Sequence, residues 1–253
     1  MVRKIFYIVL WVLVLVLIGV SLGYSVVERN RAVCTKVRVE ITDSATIGFL
    51  RSSDIRNWVS KNHGYIFKKK LSTINLRKIE EGLGKIRAIE NVQVFTSFIG
   101  DGKPGEGALV VRIKQRKPVY RVDSPGRDYY VDSYGKFIDW SPRYTPRVII
   151  VGGTVPPELA RKKLLPLVQY IQQDPFLVAQ IDQIYVNSRG DLTMIPRVGE
   201  QRIIFGKPDD FQRKFRNLKA FYKQGFAEGG WTKYSAINVA FRNQIICTKK
   251  DKL

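Results

Sequence analysis

The sequence has few of the residues that build metal or redox sites. Its 253 residues include one histidine, His63, and two cysteines, Cys34 and Cys247, near opposite ends of the region that follows the N-terminal apolar run. Metal sites need several ligands close together, and two distant cysteines do not predict a disulfide framework. His63 stands beside a glycine that ends a predicted helix, where a solvated or capping histidine is typical. We therefore expect no metal site and no cofactor.

The sequence also lacks a set of residues typical of catalysis. Asp209 and Asp210 are adjacent carboxylates, but they precede a helical pattern, where acidic side chains complement the helix dipole. A membrane-tethered enzyme of the cell wall would need a converging set of ionisable side chains, and the sequence does not indicate one. We expect no enzymatic activity and no small-molecule substrate.

Acidic residues are scarce relative to basic ones. The chain has 43 lysines and arginines against 22 aspartates and glutamates, a formal net charge of +21. A basic surface attracts polyanions, so composition alone leaves nucleic acid, anionic lipid headgroups and acidic wall polymers open. A nucleic-acid binder would have to expose its folded part to the cytoplasm. Hydrophobic residues make up 45% of the chain, so most of it should fold.

An uncharged run occupies Ile5–Leu22. As a helix it would be about 27 Å long, close to the ~30 Å hydrocarbon thickness of a bilayer. Because a signal peptide has an apolar core of only about 7–15 residues, we interpret the run as a retained transmembrane helix. The charges on its two sides do not decide its orientation.

The next part of the chain has a strand, helix, helix, strand, strand pattern. Alternation of apolar and polar residues predicts a first strand over Arg31–Ile41. Apolar residues at helical spacing then predict two helices, which carry Ile55, Trp58 and Val59, and Leu76, Ile79, Leu83 and Ile86. Alternation resumes in two predicted strands, Ile89–Phe98 and Ala108–Lys114. These five elements predict one small α+β unit.

Beyond this unit the pattern consists mainly of strands, with two helices predicted at Pro157–Gln173 and Asp209–Gly225. A final strand is predicted over Ala236–Cys247, with Ile237, Val239 and Phe241 facing the core. The predicted fold class is α+β, with a mixed or antiparallel β-sheet domain that contains two or more helices. The predicted segments are a tail at 1–4, a transmembrane helix at 5–24, a βααββ domain at 31–118, a β domain at 119–248 and a tail at 249–253.

Several stretches resemble a known family when their order is taken together. They are Ile79–Leu83 with Ile89–Val94, Leu109–Val119, Tyr130–Phe137, Val151–Gly153, Ile203–Gly206 with Phe211–Phe215, and Ile237–Phe241. The βααββ unit resembles a POTRA domain, a module that binds polypeptides. Such a domain behind one membrane helix, followed by a domain of strands and two helices, resembles the bacterial cell-division family FtsQ/DivIB. Gln115 and Asn238 stand where that family usually has acidic residues.

The resemblance implies a role that composition does not. Members are non-enzymatic scaffolds of the divisome at the septum, with a cytoplasmic N-terminus and soluble domains across the plasma (inner) membrane. The implied partners are FtsB/FtsL-like division proteins, bound by the C-terminal domain, and other divisome proteins, bound by the POTRA-like domain. No cofactor, nucleic acid or small-molecule substrate is implied.

The late strand is the candidate site. A partner segment can pair with an exposed strand edge, where main-chain hydrogen bonds give affinity and alternate side chains give specificity. The pattern alone favours an ordinary strand paired on both sides, whereas the resemblance favours an edge. The residues predicted to bind the partner are Lys233, Ser235, Ala236, Asn238, Ala240 and Arg242.

A POTRA-containing protein of outer-membrane assembly or secretion is the alternative function. It would predict tandem POTRA units and a barrel of alternating spans of about ten residues. The two helices predicted after the first unit argue against that arrangement.

Overall fold

The computed structural model describes residues 2–97, 105–225, 233–242 and 244–250, without the side chains of 2–5, 8, 9, 22, 24–30 and 225. The chain divides into two compact units, Met1–Gln115 and Arg116–Leu253. Each unit has its own cluster of buried hydrophobic side chains. Both combine helices with a β-sheet, which confirms the predicted α+β class.

The first element is helix α1, Val2–Arg31. Every described side chain between residues 10 and 21 is exposed. Within the described residues, no helix is both long and apolar enough to cross a membrane. The transmembrane helix predicted over Ile5–Leu22 is therefore not found.

The first unit contains a three-stranded sheet in the order β1-β3-β2. Strand β1 (Val33–Ile41) runs parallel to β3 (Glu106–Gln115), and β2 (Ile89–Ser97) pairs with β3 in the antiparallel direction. Helices α2 (Ser52–His63) and α3 (Leu76–Gly84) lie between β1 and β2 in the chain, with a short 3-10 turn at Leu71–Thr73. The predicted order of strand, helix, helix, strand, strand is confirmed.

Both helices contribute to the core of the first unit, because their apolar stripes face inward. Ile55 and Val59 of α2 and Ile79 and Leu83 of α3 are buried. Helix α3 begins after Asn75, whose side-chain oxygen accepts a hydrogen bond from the Lys78 N–H at 3.0 Å.

Gln115, at the end of β3, is a buried polar residue whose side chain is hydrogen-bonded through both of its polar atoms. It is 1% exposed. Its side-chain oxygen accepts a hydrogen bond from the Leu50 N–H at 2.8 Å, and its amide nitrogen donates to the Ile47 carbonyl at 2.7 Å. The same nitrogen donates to a carboxylate oxygen of Asp43 at 3.3 Å. An ionised glutamate could make neither donation and would place a second carboxylate beside Asp43 at this buried position.

The described residues of the second unit form a nine-stranded mixed sheet in the order β12-β11-β10-β9-β8-β7-β4-β5-β6. The pairs β4–β7, β7–β8 and β10–β11 are parallel, and the other neighbours are antiparallel. The strands are β4 (Pro118–Ser124), β5 (Arg127–Asp132), β6 (Phe137–Asp139), β7 (Ile149–Gly153), β8 (Ile181–Val186), β9 (Leu192–Pro196), β10 (Arg202–Gly206), β11 (Tyr234–Asn238) and β12 (Ile246–Lys249).

The described helices of the second unit contribute apolar side chains to the core beside this sheet. Helix α4 (Pro157–Leu159) continues through a π-helical segment (Ala160–Leu164) into α5 (Leu165–Gln172), which agrees with the predicted helix over 157–173. Helix α7 (Phe211–Gly225) is the second predicted helix. Helix α6 (Pro175–Gln180) is absent from the predicted elements, although Asp174 caps it by accepting hydrogen bonds from two backbone N–H groups.

The prediction of one strand over Ala236–Cys247 is wrong. β11 ends at Asn238, whose side-chain oxygen accepts a hydrogen bond from the Ala240 N–H at 3.0 Å. This local bond turns the backbone out of the strand, and β12 then returns in the antiparallel direction. Ile237 and Val239 are buried as predicted, but Phe241 is 45% exposed.

Candidate functional site: the β11–β12 end of the sheet

Strand β11 lies inside the sheet and not at its edge. It is hydrogen-bonded to β10 in the parallel direction and to β12 in the antiparallel direction. Because both of its ladders are in use, the prediction that Ser235–Arg242 itself offers an open edge is wrong. The alternative that the sequence pattern favoured, a strand paired on both sides, describes β11 correctly.

Strand β12 is the terminal strand of the described sheet, and no described strand lies beyond it. Along an antiparallel strand the hydrogen-bonding direction alternates from residue to residue, so half of its backbone groups face away from β11. Its side chains are open as well: Ile246, Thr248 and Lys249 are exposed, and Cys247 is half-buried. The strand therefore offers a short open edge with which another chain could pair.

The ladder between β11 and β12 fixes which groups face outward. The Lys250 N–H donates to the Lys233 carbonyl at 3.0 Å, and Lys249 lies opposite Tyr234. Because the direction alternates, the N–H of Lys249 faces away from β11. The Ser235 hydroxyl donates to the Thr248 carbonyl at 3.3 Å and strengthens the same pairing.

Arg213 fastens the start of this hairpin to helix α7. One of its guanidinium nitrogens donates to the carbonyl oxygens of Phe241 and Arg242 at 3.0 and 2.8 Å. Its Nε lies 2.6 Å from a carboxylate oxygen of Asp210, and its side chain is only 18% exposed. The connection between β11 and β12, residues 239–245 with residue 243 outside the described part, is thus held by the first turn of α7.

The turn before α7 is fixed by a buried lysine. The Lys214 ammonium donates to the Lys207 carbonyl at 2.7 Å and to a carboxylate oxygen of Asp209 at 2.9 Å. The hydrogen bond from Lys214 is also the largest cause that lowers the pKa of the Asp209 carboxyl. This arrangement orients the helix turn from which Arg213 reaches the hairpin.

Close packing of β10 against the end of β11 also fixes the position of the β11–β12 hairpin. Gly206 has a positive φ of 70°, and a Cβ atom there would lie 3.0 Å from the Cβ of Ala240. The Val239 N–H donates to the Ile204 carbonyl at 3.0 Å, which extends the β10–β11 ladder past the end of β11. Little space is left for the hairpin to shift toward β10.

A basic groove of about 550 Å³ lies between α7 and the β11–β12 connection. Arg216 and Arg242 are exposed, and both line it. Two guanidinium groups beside an open strand favour an acidic partner segment. The other lining residues are Arg213, Asn217, Ala220, Phe221, Gln224, Gln244 and Ile245.

The six residues predicted to bind a partner lie together at this end of the sheet, but in different surroundings. Lys233 and Arg242 are exposed, and Ala236 is buried. Ser235, Asn238 and Ala240 are partly buried and shape the hairpin through the contacts described above. Only two of the six side chains are therefore fully open to a partner.

The sequence patterns did not identify β12, Arg213 or Arg216 as parts of the site. One signal for the hairpin was present, since Arg242, Asn243 and Gln244 are three consecutive polar residues that interrupt the alternation. The contact of Arg213 with the hairpin had no local signal, because 28 residues separate it from Phe241.

The chemistry of the site favours binding. Burial raises the pKa of the Cys247 thiol, so the thiol stays protonated near neutral pH and is a weak nucleophile. Among the described residues, no group of three or more histidine, cysteine, aspartate or glutamate side chains could hold a metal ion. The groups that converge here are backbone donors and acceptors, guanidinium groups and exposed apolar side chains.

Comparison with known families places both units. The family model described as FtsQ/DivIB, C-terminal related, matches residues 117–248, which are 132 of the 253 residues. The family model described as POTRA-like domain matches residues 32–101. No curated protein matches the chain. The first match covers the nine-stranded sheet almost completely, including most of β12.

Proposed function

We propose, from the premise that this chain belongs to the FtsQ/DivIB family, that it is a scaffold of the bacterial cell-division machinery. Its work is to bind and link other division proteins, in keeping with a family of non-enzymatic scaffolds. The observation that carries the proposal is the open strand β12 at the end of the family's own domain.

The mode of binding that we propose is the addition of a partner strand to β12. An FtsB/FtsL-type partner would pair its backbone with the outward-facing groups of β12, such as the Lys249 N–H. Affinity would come from these main-chain bonds, and specificity from the exposed Ile246 and from acidic partner side chains near Lys233 and Arg242. Ser235, Ala236, Asn238 and Ala240 would contribute by keeping the hairpin in position.

The first unit would bind a second set of partners. We propose that its POTRA-like fold binds other divisome proteins and so recruits the chain to the septum. A fluorescent chain that lacks residues 32–115 should then lose its septal position in cells. If that chain still concentrates at the septum, recruitment through this unit is wrong.

Location at the plasma membrane is a further part of the proposal, with the N-terminus cytoplasmic and the folded units outside. Its support is the uncharged sequence Ile5–Leu22 and the exposure of the described side chains at 10–21. An apolar helix in this state needs lipid or another apolar partner. Extraction of membranes with alkaline carbonate and a C-terminal topology reporter would test it.

The scaffold itself is tested by co-purification. The tagged full-length chain and a chain truncated before Ser235 would be isolated from solubilised membranes, and their partners identified by mass spectrometry. We expect the truncated chain to lose FtsB/FtsL-type proteins, because it lacks both strands of the hairpin. Equal recovery of these proteins by both chains would contradict a partner site at this end of the sheet.

A further inference from the structure

The loop at residues 64–70, which follows α2, combines exposed aromatic and basic side chains. Its sequence is Gly-Tyr-Ile-Phe-Lys-Lys-Lys. Tyr65 is 71% exposed and Phe67 40% exposed, and all three lysines are exposed. Neighbouring exposed aromatic rings indicate a binding surface, because their exposure to water is unfavourable. The proposed partner site at β11–β12 does not account for these exposed rings, because the loop belongs to the other unit.

The structure ties this loop to the end of helix α1. The Lys68 N–H donates to the Cys34 carbonyl at 2.7 Å, and the Cys34 N–H donates to the Lys69 carbonyl at 2.8 Å. The Leu71 N–H donates to the Ala32 carbonyl at 2.9 Å. Since α1 ends at Arg31, the loop is fixed directly beside the point where the exposed apolar helix enters the folded unit.

The side chains of the loop are held in a defined arrangement. The rings of Tyr65 and Phe67 meet edge to face with centroids 5.8 Å apart, and the Lys68 ammonium lies 5.9 Å from the Phe67 centroid. Lys68 has a positive φ of 65°, which directs the chain into this tight turn. Ile66 between the rings is buried and anchors the loop in the core.

We propose that the 64–70 loop docks on the anionic phospholipid headgroups of the bilayer. The inference rests on the membrane location proposed above. The sequence stays uncharged from Ile5 to Val27, so the hydrocarbon boundary would fall between Leu22 and Val27, about 6–14 Å along the helix from Arg31. An anionic membrane surface attracts basic side chains over about one Debye length, ~8–10 Å at 0.10–0.15 M salt, and this loop lies beside the end of the helix that would leave the bilayer. Tyrosine and phenylalanine beside them suit the headgroup region, where one side of a ring meets lipid and the other meets water.

The test is hydroxyl-radical footprinting of the full-length chain in lipid nanodiscs, with oxidation of Tyr65 and Phe67 measured by mass spectrometry. In discs that contain phosphatidylglycerol, oxidation of both rings should fall about threefold relative to phosphatidylcholine discs, because the rings leave bulk water. Tyr134, which is 74% exposed in the second unit, is the internal reference. Inorganic phosphate added to the detergent-solubilised chain should not protect the rings, which distinguishes a lipid surface from a free anion.

A matched pair of variants tests the charge. The first variant carries Lys68→Asn, Lys69→Gln and Lys70→Gln, with asparagine chosen because it tolerates the positive φ. The control carries the same change in charge at three other exposed lysines of the first unit, Lys61→Gln, Lys78→Gln and Lys85→Gln. The first variant should lose the protection that phosphatidylglycerol gives, and the control should keep it.

Three results would overturn the inference in distinguishable ways. If the chain incorporates into discs but the oxidation of Tyr65 and Phe67, normalised to that of Tyr134, is the same in both lipids, the loop does not dock on anionic headgroups, and the membrane location stands. If the chain does not incorporate at all, the membrane location fails and the loop's role fails with it. Protection that survives in the Lys68–Lys70 variant would refute the role of anionic headgroups.

Discussion

The contribution of Arg213 to the stability of the β11–β12 hairpin can be tested by replacing Arg213 with alanine. The change removes two charge-assisted hydrogen bonds, to the carbonyls of Phe241 and Arg242, and the contact with Asp210. Each such bond contributes about 1.5–3 kcal/mol, but both carbonyls belong to exposed residues that water can reach once the side chain is gone. We therefore expect about 2 kcal/mol of local stability to be lost, which is about a 30-fold increase in opening of the hairpin.

Hydrogen exchange measured by mass spectrometry is the assay for this change. Amides of β12 that pair with β11 exchange when the hairpin opens locally, so their exchange should become about 30-fold faster in the variant. The β8–β9 hairpin serves as a reference within the same sheet and should keep its exchange rate. The partner should also bind more weakly, because its template strand is less ordered before binding.

Arg216→Ala is the matched control for Arg213→Ala. Arg216 lies on the same helix and lines the same groove, but no described hydrogen bond joins it to the β11–β12 connection. Its replacement removes the same charge and should leave exchange in β12 unchanged. Unchanged exchange in the Arg213 variant, or equal acceleration in both variants, would refute the reasoning.

Three further predictions concern stability and reactivity. Gln115→Glu should destabilise the first unit by about 2–4 kcal/mol, because a carboxylate replaces a buried hydrogen-bond donor. Thermal unfolding at neutral pH would measure this change, and unchanged stability would contradict it. Gly82→Ala should cost about 1–3 kcal/mol, because its Cβ would lie 2.4 Å from the Trp58 ring. Gly84 lies in the same helix, and the nearest atom to a Cβ added there is Val92 Cγ1 of β2 at 4.0 Å. Gly84→Ala should therefore stabilise by up to about 1 kcal/mol, and equal shifts in the two variants would refute the packing argument. Alkylation of Cys247 at neutral pH should be slower than that of a free cysteine, because the pKa of its thiol is raised and the thiolate forms only at higher pH. A rate equal to that of free cysteine would show that burial does not lower the reactivity of this thiol.

The sequence predicted the elements whose periodicity is strong. The stripe of Ile79 and Leu83 predicted α3, and the alternation at Ile89 and Val94 predicted β2, because a helix or a strand with one buried face must repeat apolar residues at its own period. Three elements of the second unit were missed, and one of them, strand β12, was merged with β11 into a single predicted strand. Helix α6 is only six residues long, and strand β4 follows closely on β3 with no turn signal strong enough to separate it.

The edge itself could not be predicted, because alternation reports which faces of a strand are buried and says nothing of its neighbours. Ile237 and Val239 were correctly placed in the core, yet the same pattern fits a strand at an edge or inside a sheet. Whether β11 is covered depends on residues 246–249, which pair with it after a turn. The hold of Arg213 on the turn depends on a contact between residues far apart in the chain.

The central claim is that a partner strand pairs with β12, and the most direct measurement is the affinity of the full-length chain for a purified FtsB/FtsL-type complex. The decisive variant is Lys249→Pro, because the Lys249 N–H faces away from β11 and proline at an outward position leaves the intramolecular ladder intact. Lys249→Gln removes the same charge and keeps the N–H. We predict that Lys249→Pro weakens binding at least about tenfold through the lost hydrogen bond and the clash of the ring, whereas Lys249→Gln changes it by no more than about threefold. Equal affinities for Lys249→Pro and the unaltered chain, with exchange in β12 unchanged, would contradict strand pairing at this edge.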